Sequence, residues 1–278
     1  MQVVRTRAEL RAALAAAPRP IGLVPTMGWL HAGHTSLIAR ARAESRTVVV
    51  SIFVNPRQFG ETGDFTRYPR NETRDLAICE AGGVDIVFAP SVDEVYPPGF
   101  DTTVSVGSIA SPLEGAARPG HFDGVATVVA ILFALVGAER AYFGVKDYQQ
   151  VRVIERMAVD LALPTAVVPC PTVREPDGLA LSSRNARLSP DGRAAAPVLH
   201  RALSAGADAV RSGEQRADEV RDAMRRTLAT EPLAEADYVS VADPETLEEL
   251  VIVDGRVLLS LAVRIEGVRL IDNERVPA

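Results

Sequence analysis

The strongest constraint on this chain is the alternation of two kinds of segment over its first 170 residues. Short β-rich runs stand at Ile21–Val24, Thr47–Val54, Asp85–Ala89, Thr102–Val106, Arg140–Phe143 and Thr165–Val168. Helical patterns lie between most of them, at His34–Ala43, Arg70–Ala81, Gly124–Val136 and Tyr148–Asp160. Alternation of this kind predicts a parallel sheet with helices on its faces. The near-continuous apolar runs Val48–Val50 and Ile86–Phe88 fit strands covered on both sides.

The pattern changes after Pro169-Cys170-Pro171. A polar loop, Arg174 to Arg187, precedes Pro190 and two helical stretches, Asp191–Ser212 and Arg216–Thr230. Tyr238–Val241, Val257–Val263 and Gly267–Ile271 then alternate like strands of an antiparallel sheet. The expected fold class is α/β, a parallel-sheet domain over 1–172 followed by a smaller α+β domain over 173–278.

Composition excludes several functions. At 47% hydrophobic and 24% charged, the chain is globular rather than disordered. A net charge of −6 opposes general nucleic-acid binding, although a local basic pocket stays compatible with it. The longest apolar run, Val125 to Ala138, is too short for a membrane span and holds Thr127 and Gly137. The arginine-dotted N-terminus reads as a short amphipathic helix, not a signal peptide. Two cysteines, Cys79 and Cys170, form no disulfide framework, which points to a reducing, cytoplasmic setting.

Five segments carry chemistry. The first, Val24 to Leu37, leaves a predicted strand and opens a predicted helix. It contains Met27, Gly28, Trp29, Leu30, His31, Ala32, Gly33 and His34. A helix N-terminus offers free N–H groups and positive dipole charge to an anion. The glycines allow close backbone approach, and the imidazoles can donate to phosphate oxygens. Two incidental histidines and metal ligation by the H-x-x-H pair are the competing readings; no adjacent Glu or Cys supports the metal. Neither a P-loop nor a G-x-G-x-x-G follows the first strand, and no G-x-S-x-G occurs.

The second segment, Phe53 to Gly60, ends a strand and places Gln58 where open α/β sheets bind ligands. Asp64, Tyr68 and Arg70 in the loop after it suit a lid or packing contacts, which spacing does not separate. The third, Arg118 to Val125, puts His121 before a helix start, in a structural hydrogen-bonding role more than a catalytic one. The fourth, Phe143 to Gln150, offers Lys146 as a mobile charge for a phosphate, Asp147 as a helix cap, and Gln150 on the first helical turn. The fifth, Val173 to Asn185, holds Ser182, Ser183 and Arg184 as a donor cluster at the expected domain junction.

The five together, in this order, resemble the pantoate–β-alanine ligase family. The block P-T-M-G-x-L-H-x-G-H alone indicates only the wider H-x-G-H nucleotidyltransferase group. F-V-N-P-x-Q-F, Y-P-R, R-P-G-H-F-x-G-V, K-D-Y-Q-Q and R-E-x-D-G-L-A-x-S-S-R-N make the match specific. Val145 departs from it, standing where many members carry Glu. The resemblance implies a Rossmann-like first domain, a C-terminal lid domain, a homodimer, and ATP with Mg²⁺. It implies ATP-dependent condensation of pantoate with β-alanine through a pantoyl adenylate. It also assigns residues. Met27 through His34, Gly144 through Asp147, Val173 and Leu181 through Arg184 would hold ATP. His34 would be the proton donor, His31 would assist on the phosphates, and Lys146 and Arg184 would neutralise the triphosphate. Gln58 would contact pantoate and β-alanine, Gln150 pantoate, and Mg²⁺ would be held mainly by phosphate oxygens. Nucleotidyl transfer to a phosphorylated acceptor and a turnover-deficient nucleotide-binding module are the alternatives.

Overall fold

A computed structural model describes residues 1–60 and 62–277; the side chains of 62–64, Asp64 among them, lie outside the described residues. The chain forms two compact units, Met1–Val145 with Gln149–Pro171, and Lys146–Tyr148 with Thr172–Ala278.

The first unit runs β1 (Gln2–Val4), α1 (Arg7–Ala15), β2 (Ile21–Thr26), α2 (Ala32–Glu44), β3 (Thr47–Ile52), α3 (Thr62–Arg67), α4 (Glu72–Ala81) and β4 (Ile86–Phe88). It continues with α5 (Val92–Val95), α6 (Glu114–Ala117), α7 (His121–Val136), β5 (Arg140–Gly144), α8 (Tyr148–Asp160) and β6 (Ala166–Cys170). Its six strands are parallel, in the order β1-β4-β3-β2-β5-β6. The chain leaves β2 toward β3 on one side and returns to place β5 on the other, so the strand order reverses at β2 and β5. Crevices beyond the carboxyl ends of such strands are where open α/β sheets take ligands. Val48, Val49, Val50, Val87 and Phe88 are fully buried, as strands covered on both faces require.

Two expectations fail in this unit, and one strand goes unforeseen. Thr102–Val106 is β-branched but forms no strand. Its backbone is tied by side chains instead: the Arg57 guanidinium donates to the Thr102 carbonyl at 3.1 Å, and the Thr127 hydroxyl accepts from the Val104 N–H at 2.9 Å. A backbone so satisfied needs no ladder, and composition alone cannot reveal that. The expected loop after Gly60 contains α3. The edge strand β1 is three residues long, too short to show a period.

The second unit contains α9 (Pro190–Ala195), α10 (Val198–Arg211), α11 (Ala217–Leu228), β7 (Ala234–Ala242), β8 (Val257–Ile265) and β9 (Val268–Val276). The strands form an antiparallel sheet in the order β7-β8-β9, and its core packs Leu199, Leu203, Val220 and Met224 against Leu259, Leu261 and Val263. The expected single helix over 191–212 is split at Ala196–Pro197, because proline lacks the N–H that would continue the first segment. β9 outruns its expected end at Ile271 and includes the polar stretch Asp272–Arg275.

Candidate active site

At the carboxyl end of β2 the chain turns sharply into α2. Gly28 has a φ of +80°, and a Cβ there would meet Asp75 Oδ2 at 3.0 Å and Ile52 Cγ2 at 3.2 Å. Trp29 is also left-handed, at φ 50°, which costs energy in a residue bearing a Cβ. Asp75 of α4, fully buried, holds this shape: its carboxylate accepts from the Trp29 N–H at 2.7 Å and the Leu30 N–H at 2.8 Å. Arg74 lies 5.1 Å over the Trp29 ring.

His31 caps α2 and is coupled to His34. Nδ1 of His31 accepts from the Gly33 N–H at 3.1 Å, and Nδ1 of His34 accepts from the His31 N–H at 3.3 Å. A backbone N–H can only donate, so both Nδ1 atoms present lone pairs, and each neutral ring carries its proton on Nε2. The ring centroids are 4.2 Å apart. Burial, reinforced by His31, pushes the His34 pKa down to about 3, although the residue keeps part of its surface open. At neutral pH His34 is an uncharged Nε2–H donor.

Gln58 meets this loop. Its Nε2 donates to the Met27 sulfur at 3.3 Å. Its other end is committed. Asn55 accepts from the Tyr96 hydroxyl at 2.7 Å and the Arg57 N–H at 3.2 Å, so its Nδ2 donates to Gly124 O at 3.0 Å and Gln58 Oε1 at 2.9 Å. Burial pushes the Tyr96 phenol up to about 12, so this hydroxyl keeps its proton. The chain of bonds fixes the Gln58 amide with its NH₂ toward Met27. Gly124 is essential here, since a Cβ would lie 2.2 Å from the Arg57 carbonyl oxygen. His121 is structural: its Nε2 faces Arg118 Nη1 at 3.2 Å, and its Nδ1 the Gln58 carbonyl oxygen at 2.8 Å. Of the adjacent glutamines, Gln149 is buried and ties the Ile109 and Pro112 carbonyls and the Glu114 N–H, whereas Gln150 is half-buried. Gly144 ends β5 beside β2, and Val145 starts a 3-10 turn over 145–147.

The remaining candidates belong to the second unit. Asp147 closes that 3-10 turn, and its carboxylate lies 3.9 Å from Lys146 Nζ. Val173 O accepts from the Leu181 N–H at 3.0 Å, closing a hairpin over 173–181. Ser182 Oγ accepts from the Arg184 N–H at 3.2 Å and caps the 3-10 helix Ser183–Arg187, which orients Ser183 and Arg184. Lys146, Ser182, Asn185 and Asp272 share the wall of a cavity of about 10 Å³, so three segments separated in sequence meet closely. Sequence reasoning missed Asp75, Tyr96, Asp272 and Asn273; Asn55 it quoted only within a motif.

Among the described residues, no group of three or more His, Cys, Asp or Glu side chains is placed to hold a metal, and no helix is long and apolar enough to cross a membrane.

A parallel sheet with paired imidazoles at a strand-to-helix turn beside its reversal point defines an α/β enzyme of the nucleotide-binding kind. The pantoate-beta-alanine ligase family profile matches residues 2–275. Pantothenate synthetase from Roseiflexus sp. (strain RS-1) is 61% identical over 98% of both chains. The crystal structure of the pantothenate synthetase from Thermus thermophilus superposes with a TM-score of 0.96 at 51% identity, covering 100% of both chains. A Francisella tularensis pantoate-beta-alanine ligase, complexed with β-γ ATP and β-alanine, gives 0.81 at 34% identity over 99% of this chain and 97% of its own. The chain belongs to the pantoate-beta-alanine ligase family.

Proposed function

We infer that the chain carries out its family's reaction: ATP-dependent condensation of (R)-pantoate with β-alanine to pantothenate, AMP and pyrophosphate. The pantoate carboxylate attacks the α-phosphorus of ATP, and the bond to pyrophosphate breaks. The β-alanine amine then attacks the acyl carbon of the adenylate, and AMP leaves. A carboxylate is a poor acyl donor, and adenylation supplies the leaving group. Both steps gather charge on oxygen, so fixed donors serve better than a covalent nucleophile.

The observation that carries this reading is the imidazole pair with both Nδ1 atoms occupied by backbone donors. It leaves the Nε2 sides of the pair, rather than Nδ1, to meet phosphate oxygens, with His31 assisting His34. At neutral pH His34 offers an uncharged Nε2–H to the phosphates, a hydrogen bond that strengthens as charge develops, and it is the proton donor of this proposal. Met27, Gly28, Trp29, Leu30, Ala32 and Gly33 line the nucleotide with Gly144, Val145, Asp147, Val173, Leu181, Ser182 and Ser183. Lys146 and Arg184 neutralise the triphosphate. Gln58 addresses carboxylate oxygens of pantoate and β-alanine through its NH₂, and Gln150 binds pantoate. Mg²⁺ supplies charge neutralisation when bound. The donor set near the loop is imidazole and amide, and the Asp75 carboxylate already accepts two backbone N–H groups, which suits a metal carried by ATP phosphates. A nucleotide- and pantoate-binding first domain over 1–172, a C-terminal lid over 173–278, a homodimer and a cytoplasmic setting complete the proposal.

The test is pyrophosphate–ATP exchange with ATP, Mg²⁺ and pantoate, before β-alanine is added. Exchange is expected, and His34→Ala should lower it by about 10²–10³ while the fold survives. Exchange that requires β-alanine rejects the adenylate, and a near-normal His34→Ala rate removes His34 from its role.

A further inference from the structure

The polar end of β9 does something that its sequence does not announce. Asp272 and Asn273 are both buried, in a strand whose Val268, Leu270 and Val276 join the apolar core of the second unit. The Asp272 carboxylate takes both arms of Arg174, Nη1 to Oδ2 at 2.5 Å and Nη2 to Oδ1 at 3.0 Å, and Arg174 also donates to the Gly178 carbonyl at 3.0 Å. Arg174 thereby fixes the hairpin that leads into Ser182–Arg184. The neighbouring Asn273 donates its Nδ2 to the Lys146 carbonyl at 2.7 Å, and its N–H donates to Asp272 Oδ1 at 2.9 Å. A carbonyl in the 3-10 turn over 145–147 needs a donor of this kind. Two further contacts hold the same segment: the buried Tyr148 hydroxyl donates to the Pro244 carbonyl at 3.0 Å, and the Arg275 guanidinium lies 5.8 Å over the Tyr148 ring.

We propose that Asn273, braced by Asp272, is a positioning residue that sets the backbone of Lys146 in register with Ser182–Arg184, so that both segments present their donors to one polyphosphate. The inference rests on the assignment of those donors to ATP made above. One strand near the C-terminus thus serves two segments from the middle of the chain. The Arg174–Asp272 pair fixes one, and the Asn273 amide fixes the other. The effect belongs to ATP and not to pantoate, since Asn273 holds the Lys146 backbone whereas Gln58 is oriented by Asn55 in the first unit.

The test compares Asn273→Ala and Asn273→Asp in the full chain by pyrophosphate exchange, with KM for ATP and for pantoate measured separately. The aspartate keeps the shape but loses the NH₂ donor. Both variants should raise KM for ATP about five- to tenfold, as expected for one lost hydrogen bond to a buried carbonyl, and leave KM for pantoate unchanged. Tyr148→Phe should move KM for ATP in the same direction by less, and it decides the matter if either Asn273 variant fails to fold. Arg211→Ala, which removes surface pairs with Asp208 and with Glu274 on the same strand, serves as the neutral control. An unchanged KM for ATP overturns the proposal; so does a parallel rise for both substrates with a lowered thermal midpoint, which is the signature of a merely structural role. Lys146→Ala separates the levels. If it leaves KM for ATP untouched, the assignment of Lys146 to ATP is at fault; if it raises KM while the Asn273 variants do not, only the positioning role fails.

Discussion

The two units fix their donors by different means. In the first, the donors are neutral and the backbone sets them: Gly33 and His31 N–H groups hold the imidazoles, and Asp75 holds the loop through two N–H bonds. In the second, the proposed donors include the cations Lys146 and Arg184, and the segments that carry them are tied by the Asn273 amide and by the buried Arg174–Asp272 ion pair. Neutral donors can be buried cheaply and aimed tightly, but each gains little until charge develops. Cations attract a triphosphate strongly, but fixing them among buried groups requires a paired counter-charge. The difference teaches that the order in this chain comes from hydrogen-bond direction in one unit and from charge pairing in the other.

The largest effect should come from breaking the charge pairing. Asp272→Ala strands Arg174, which is largely covered, without its partner. Removing one member of a buried pair costs about 3–5 kcal/mol, so the second unit should lose most of its stability in a denaturant titration. The double variant Asp272→Leu with Arg174→Met should recover much of it, because the uncompensated charge is gone. No loss in the single variant would mean that the pair does not order the unit.

Breaking the hydrogen-bond direction should cost less and act elsewhere. Asp75→Asn keeps the size of the side chain but leaves one oxygen for two backbone donors. One of the Trp29 and Leu30 N–H groups then goes unpaired, at about 1–3 kcal/mol. The left-handed turn at Gly28–Trp29 relaxes with it. Pyrophosphate exchange should fall while the second unit unfolds at its former denaturant concentration. A uniform loss in both units would erase the distinction drawn here.

How much of this is legible in the sequence follows the range of each interaction. Helix and strand order over the first unit comes from periodicity, a local signal, and so do the glycine-flanked histidines at a helix mouth. The irregular 101–107 segment and the break at Pro197 depart from their sequence reading because side chains and one proline override composition. The positioning groups are illegible for another reason. Asp75 looks like any polar residue of a helix, and its partner Leu30 lies 45 residues away. Asn273 reaches across 127 residues to Lys146, inside a stretch whose run of polar residues masks the strand. Pairing at that distance is a property of the fold, and no spacing rule encodes it.

The smallest effect is the most particular to the first unit. His34 has a folded pKa of about 3 against an ordinary value of 6.5. Between these values the unfolded chain binds a proton at His34 that the folded chain refuses. Its contribution to stability is therefore complete above pH 6.5 and is lost as the pH falls toward 3. His34→Asn, which keeps an acceptor near the His31 N–H without a titrating ring, should lose less stability than the parent between about pH 7 and pH 4 in matched denaturant titrations. Imidazole nitrogen resonances should show His34 as the Nε2–H tautomer down to about pH 5, and ATP kinetics should show no inflection near 6.5 from this residue. A His34 titration midpoint near 6.5 would place a charged ring at the helix mouth, and the contrast between neutral and cationic donors would dissolve.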